Sequence, residues 1–526
     1  MEYLSDKILI YILKKLSNID VLYSLFGVNK RLHKIVCDSI FTNRLTLLKF
    51  SLNHCVLPLS DQIIDRFCLQ ILPEIHNKIK WLDLESFSME RILFAVNYPN
   101  LYGFGLYNIQ EENAIYLFND ESLFTRMFKN QVSSIIISIN ANGSLSSRED
   151  VYARIFIGII TTFSYLQFLN FCPSSAWYQE LSFGISSPNI FSSTLLELHV
   201  CLSHFTDCLY LLDGRFNELR ILHVVINFIS SSNLTIDNQK KLPNLRSFSL
   251  YCNRDTYVYD ELIVPLLYRM SDLEKLDLSL IISGKETFVD GNDLKKNIIN
   301  KMLFLNKFTF NIRSFSHFYN QINIPSNEDI QHTFNDYKDN QIISCVDYFP
   351  SRNSSQCHIY SYPYKLKHYD NITNNFSGGI FKCVREVSLF DERPFEHEFF
   401  LRIAESFPLM EKLTLINMKP QINKFYQQSI NDDQHLSIVI KYSHLMNLNL
   451  TKIDEAYLEQ FLLDTKMSLP NGIFLQTDYQ LLNNVTHNFT RNETRNNCAK
   501  LKIIFFINKS EFPEHLKDYF PCAKIL

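Results

Sequence analysis

The amino-acid sequence predicts an α/β chain in which short strands alternate with helices in units that stack one on the next, preceded by a small three-helix unit. Three observations carry this. An apolar residue, two others, an apolar residue, one other and a third apolar residue recur as a pattern some thirteen times. Stretches with apolar residues three and four apart separate many of the copies. The first fifty residues have the helical spacing and none of the strand pattern.

Residues 1–50 read as three short helices, with apolar stripes Ile8/Leu9/Ile12/Leu13/Leu16, Val21/Leu22/Leu25/Phe26 and Leu32/Ile35/Val36. Breaks fall at Ser17-Asn18, with Asp20 placed to cap, and at Gly27. So small a unit buries too little area to stand alone and exposes aliphatic side chains that a partner would cover. Residues 51–78 read as a helical linker. The repeats occupy 79–508, with clear copies at Leu245-x-x-Phe248-x-Leu250, Leu273-x-x-Leu276-x-Leu278 and Leu445-x-x-Leu448-x-Leu450. Others start at Ile79, Leu101, Val132, Leu166, Leu195, Leu219, Leu305, Val384, Met410 and Leu501. The last two apolar positions point to one face of a strand, and helical spacing follows in 89–96, 259–270, 294–303, 399–407 and 457–463. A unit of this kind cannot close a core and must stack on its neighbours. Residues 313–380 lose the pattern and read as an insertion, with a hairpin of 342–349 and 356–362 about Pro350-Ser351-Arg352-Asn353. Residues 509–526 form a cap or tail.

Composition narrows the function. Of 526 residues 46% are apolar and 20% charged, and 51 basic against 55 acidic side chains leave −4, which excludes a disordered chain and gives no concentrated basic face for nucleic acid. No two of the twelve cysteines form a Cys-x-x-Cys pair, so free thiols in a reducing compartment are expected. The N-terminus lacks the basic head and apolar stretch of a secretory signal. Residues 155–179 are uncharged but broken by polar residues and Pro173, so no membrane span is expected. Gly103-Phe104-Gly105 and Ser377-Gly378-Gly379 lack the third glycine or the Lys-Ser/Thr of a nucleotide loop and read as turns.

The alternation of strand and helix resembles the leucine-rich-repeat solenoid, which implies a curved parallel sheet with helices on its convex side. The buried Asn which that family places three positions after the last apolar residue, where it hydrogen-bonds the turn backbone, matches Asn140, Asn227 and Asn253. The N-terminal run Leu4-Ser5-Asp6-Lys7-Ile8-Leu9-x-x-Ile12-Leu13-x-x-Leu16-x-x-x-Asp20-Val21-Leu22-x-x-x-x-x-Val28-Asn29-Lys30-Arg31-Leu32 resembles the F-box. Ser5 stands where that family has Pro, and Phe41 is the aromatic nearest to its usual late Trp. The resemblance implies a substrate-recognition subunit of an SCF-type ubiquitin ligase, docking the adaptor, and through it cullin, by Leu4, Ile8, Leu9, Ile12, Val21, Leu22, Leu25 and Val28. A protein substrate would lie on the concave face, where Trp81, Asp83, His199, His223, Tyr251, Lys275, Asp277, Lys307, Phe390 and Lys412 are the candidate contacts.

No catalytic constellation emerges. Glu396-His397-Glu398 lacks a zincin's second His, Cys357 and His358 diverge on a strand, and no Gly-x-Ser-x-Gly elbow is present. His199 and His223 fall side by side on neighbouring strands, but with no third ligand beyond Cys201 a metal is not expected. The expectation is therefore a non-enzyme without metal or cofactor, cytoplasmic or nuclear, binding neither nucleic acid nor membrane. A protein-binding scaffold outside any ligase is the alternative.

Overall fold

In a computed structural model the chain is described over residues 4–50, 56–140, 148–173, 179–184, 189–230, 241–316, 324–335, 337, 341–422, 439–508 and 516–526. Parts of the expected linker (51–55), insertion (317–323, 336, 338–340) and tail (509–515) lie outside these. Two compact units result, Met1–Ser283 with Asp293–Phe310, and Gly284–Asn292 with Asn311–Leu526.

The first unit opens with four short helices, Asp6–Leu13, Asn18–Leu25, Lys30–Val36 and Ser39–Thr42. Each is preceded by a residue whose side chain accepts a first-turn N–H: Ser5, Ser17, Asn29 and Asp38. Asp20 is not the cap expected of it; its carboxylate accepts the Ser17 hydroxyl at 2.7 Å. Gly27, at φ +77°, makes the reversal between the second and third helices that an L side chain would strain. Asn18 Nδ2 donates to the Arg44 carbonyl at 3.0 Å, fastening the helices to the first strand of the sheet.

Through this unit that sheet runs Arg44–Thr46, Trp81–Glu85, Gly103–Gln110, Ser134–Asn140, Phe168–Asn170, Glu197–His204, Ile221–Phe228, Ser247–Thr256 and Lys275–Ile282, each parallel to the next, with Glu180–Leu181 also parallel to Glu197–His204. One device recurs at its lower edge. The Tyr102 carbonyl accepts the N–H groups of both Ser133 and Ser134, Ser133 those of Gln167 and Phe168, Leu196 those of Arg220 and Ile221, and Arg220 those of Arg246 and Ser247. A shared acceptor at each strand start keeps successive strands in one register, so Leu222, Phe248 and Leu276 lie in line and all are buried. Between the strands, Met89–Leu93, Glu111–Leu117, Leu123–Phe128, Arg148–Thr162 and Phe205–Leu211 are helical. Phe104 packs edge-on against Phe124 at 5.0 Å in the core beneath them.

The second unit repeats the scheme. His368–Ile372, Glu386–Phe390, Lys412–Asn417, Asn447–Ile453, Ile473–Thr477, Leu501–Phe506 and Lys524–Ile525 are again each parallel to the next. The Lys367, Arg385 and Glu411 carbonyls each accept two consecutive N–H groups of the following strand start. Gln341–Phe349 and Ser354–Tyr362 form an antiparallel hairpin, and residues 311–316 pair with its second strand. The pattern is therefore not lost throughout 313–380. Leu366-x-x-Tyr369-x-x-Ile372 is a copy carrying one extra residue, accommodated by Asn371 at φ +50°. Ile473–Thr477 escapes the sequence pattern because, in register with Leu445, Leu448 and Leu450, its three positions hold Gly472, Leu475 and Thr477.

The turn asparagines also differ from expectation. Asn140 and Asn253 are exposed, and Asn227 donates to the Glu180 carboxylate at 3.0 Å. Buried Asn417, two rather than three positions after its last apolar residue, accepts from Lys419 N at 2.9 Å and donates to the Arg393 carbonyl at 2.7 Å. Asp391 occupies the same place one strand earlier, accepting from the backbone N–H of Arg393 at 2.9 Å. The chain is thus mixed α/β with a large, mostly parallel sheet and, among the described residues, no closed barrel. No helix among them is long and apolar enough to cross a membrane.

Candidate functional site

The first helix is two-faced. Leu9 and Leu13 are buried against the rest of the N-terminal unit, while Ile8, Tyr11 and Ile12 are 49%, 66% and 47% exposed. Leu16, just beyond the helix, is exposed and Leu4, just before it, half-buried. Ile8 and Ile12 stand four residues apart and form an aliphatic stripe on the helix, with Leu4 and Leu16 at either end of it. Val28 is exposed near the start of the third helix. Arg31 fixes that start to the first helix through Asp6 at 2.8 Å and through the Leu4 carbonyl.

Of the eight residues expected to dock a partner, the structure therefore leaves Ile8, Ile12 and Val28 open and Leu4 and Leu25 partly so. Leu9, Val21 and Leu22 are core and cannot make a first contact, a correction that follows from their burial against the rest of the N-terminal unit. Tyr11 and Leu16 are exposed beside Ile8 and Ile12.

On the sheet of the first unit, Trp81 and Asp83 are 7% and 2% exposed, which corrects their assignment as partner contacts. The Asp83 carboxylate accepts from Arg44 Nε at 3.0 Å, Thr46 Oγ1 at 2.8 Å and Trp81 Nε1 at 2.7 Å, and Arg44 lies over the Trp81 ring at 5.0 Å. Gly103-Phe104-Gly105 is not a turn but part of a strand. A Cβ at Gly103 would collide with Trp81 and one at Gly105 with Asp83, so both glycines exist to let those side chains lie across the sheet. Burial, then the Asp83 charge, pushes the Tyr107 phenol up to about 12.

His199 and His223 are register partners, with ring centroids 4.3 Å apart. Glu197 stands two residues before His199, hence on the same face, and its Oε1 lies 2.7 Å from His199 Nε2. Phe168 packs edge-on against His199 at 5.5 Å. Burial, and secondarily the neighbouring His199, holds His223 below the usual imidazole range despite Glu197. Cys201 is buried, so the thiol expected beside this pair is not on the open surface. Glu197 is the ligand-type neighbour that the sequence reading overlooked.

Tyr251 is half-buried, and Lys275, Asp277 and Lys307 are exposed in the same unit. Phe390 and Lys412 belong to the second unit. There the Arg352 guanidinium covers Phe390 at 4.2 Å, and Lys412 pairs with Glu386 at 3.0 Å. Chemistry at the remaining motifs is occupied: His358 is buried, bonds Asn311 at 2.6 Å and is held well below its usual pKa by burial, while His397 contacts Gln460 at 3.0 Å. No family model matches this chain, and no curated protein matches it.

Proposed function

We propose that the chain is a non-catalytic substrate receptor of an SCF-type ubiquitin ligase, an F-box-like unit over 1–50 followed by an irregular leucine-rich-repeat solenoid over 79–508. The observation that carries the reading is the exposed Ile8/Ile12 stripe, on a capped helix whose opposite face is buried. A few aliphatic anchors on a helix, seated in a partner's groove, supply most of the energy of such an interface. Ser5 is compatible with the role. Its φ of −63° and ψ of 152° are values that the proline usual there would adopt.

Consecutive parallel strands, each opening on a shared carbonyl acceptor, support the repeat reading, and Asn417 makes the turn contacts expected of a leucine-rich-repeat asparagine. The more open face of the repeats would hold a protein substrate through its mixed charges, hydroxyls and aromatics. The chain would then act by position, raising the effective concentration of that protein near a ubiquitin-charged enzyme. On this reading its work would lie in cytosol or nucleus.

A second reading rests on Asn18 and the Arg44 carbonyl: the N-terminal helices cover the first strand and serve only as an end cap for a binding scaffold. Co-purification of the full chain with the SCF adaptor and cullin separates the two. The receptor brings both down, and an Ile8→Asp/Ile12→Asp variant brings down neither. A wild-type chain that brings down neither is a capped scaffold.

A further inference from the structure

We propose that Glu197, His199 and His223 form a binding site for one divalent transition-metal ion of the zinc type. The inference is independent of the ligase reading. His199 and His223 face each other across adjacent parallel strands, and Glu197 lies on the same face of the His199 strand. One ligand atom from each of the three lies within 4.8 Å of the others. In a tetrahedral zinc site, with bonds of 2.0–2.2 Å, ligand atoms stand about 3.4 Å apart. The present separations therefore exceed that spacing by at most about 1.4 Å.

The donor set selects the ion class. Two imidazoles and one carboxylate suit zinc, cobalt, nickel or copper, whereas magnesium and calcium want oxygen throughout. The backbone is preorganised, since the two strands are paired with each other and each also with a further strand, through Phe168–Asn170 and Ser247–Thr256. Asn170 and Ser249 flank the two histidines in register, polar neighbours of the kind that orient metal-bound imidazoles. Cys201 is no fourth ligand, being buried and hydrogen-bonded with Cys172. Three protein donors that are each half-buried leave a coordination position for water.

Titration of the metal-stripped full chain with cobalt(II), followed by visible absorption, tests this. The expected result is one saturable equivalent with bands of nitrogen and oxygen ligation, no thiolate-to-cobalt charge transfer, and displacement by zinc. Glu197→Gln, His199→Asn and His223→Asn should each weaken binding by more than the roughly 10–100-fold that loss of an outer-sphere partner costs. Absence of a saturable equivalent, a thiolate band, or unchanged binding in a His199→Asn/His223→Asn variant would overturn the proposal. The wild-type spectrum decides even if a variant fails to fold, because a cysteine site and this one differ in colour.

Discussion

Asp83 shows how a single residue can look like a binding group and be a brace. A carboxylate on the exposed parity of a strand reads as a surface ligand, yet three donors, the Trp81 indole among them, enclose it. The signal was in the next repeat, where glycines stand at both positions facing Trp81 and Asp83. Gly105→Ala should force Asp83 from its donors and cost about 2–3 kcal/mol, read as a lowered urea midpoint with the slope unchanged. Buried Asp347 offers a test by pH. It accepts from Thr373 at 2.6 Å, Asn375 at 2.8 Å and Gln356 at 3.0 Å, yet burial holds its pKa above the ordinary carboxylate value. The native state therefore keeps this proton more tightly than the unfolded chain does. Its contribution is greatest below the unfolded pKa and falls as pH rises through the window up to the folded one. Asp347→Asn should flatten that part of the stability profile, measured as urea midpoints across the window, relative to the wild type.

At the scale of elements, the repeat was legible because its three apolar positions have one physical role throughout. Leu245, Phe248 and Leu250 are buried, as are Leu445, Leu448 and Leu450. Copies were missed where a pattern position lacks an apolar residue or is displaced: Gly472 and Thr477 about Ile473–Thr477, and the extra Asn371 in His368–Ile372. The first helix was legible as a helix, whereas the division of its stripe into core and open face needed the packing. That division predicts opposite outcomes for neighbouring residues. Ile8→Asp/Ile12→Asp should shift stability by no more than about 0.5 kcal/mol per site, since both positions are open to water. Leu9→Asp buries a carboxylate without a partner and should unfold the N-terminal unit, detected by loss of amide-exchange protection over 6–36.

For the whole molecule, stability should depend on cores built one repeat upon the next. Phe248→Ala in the first unit and Phe400→Ala in the second each remove a fully buried ring and should cost about 3–5 kcal/mol, visible in calorimetry. The function claimed for the chain rests on a smaller area, the face of one eight-residue helix. The most direct measurement is isothermal titration of purified SCF adaptor into the full chain and into its Ile8→Asp/Ile12→Asp variant, with circular dichroism of both. The account predicts saturable one-to-one binding by the wild type and none by a variant of unchanged spectrum. Absence of binding by the folded wild-type chain, or equal binding by the two, would contradict it.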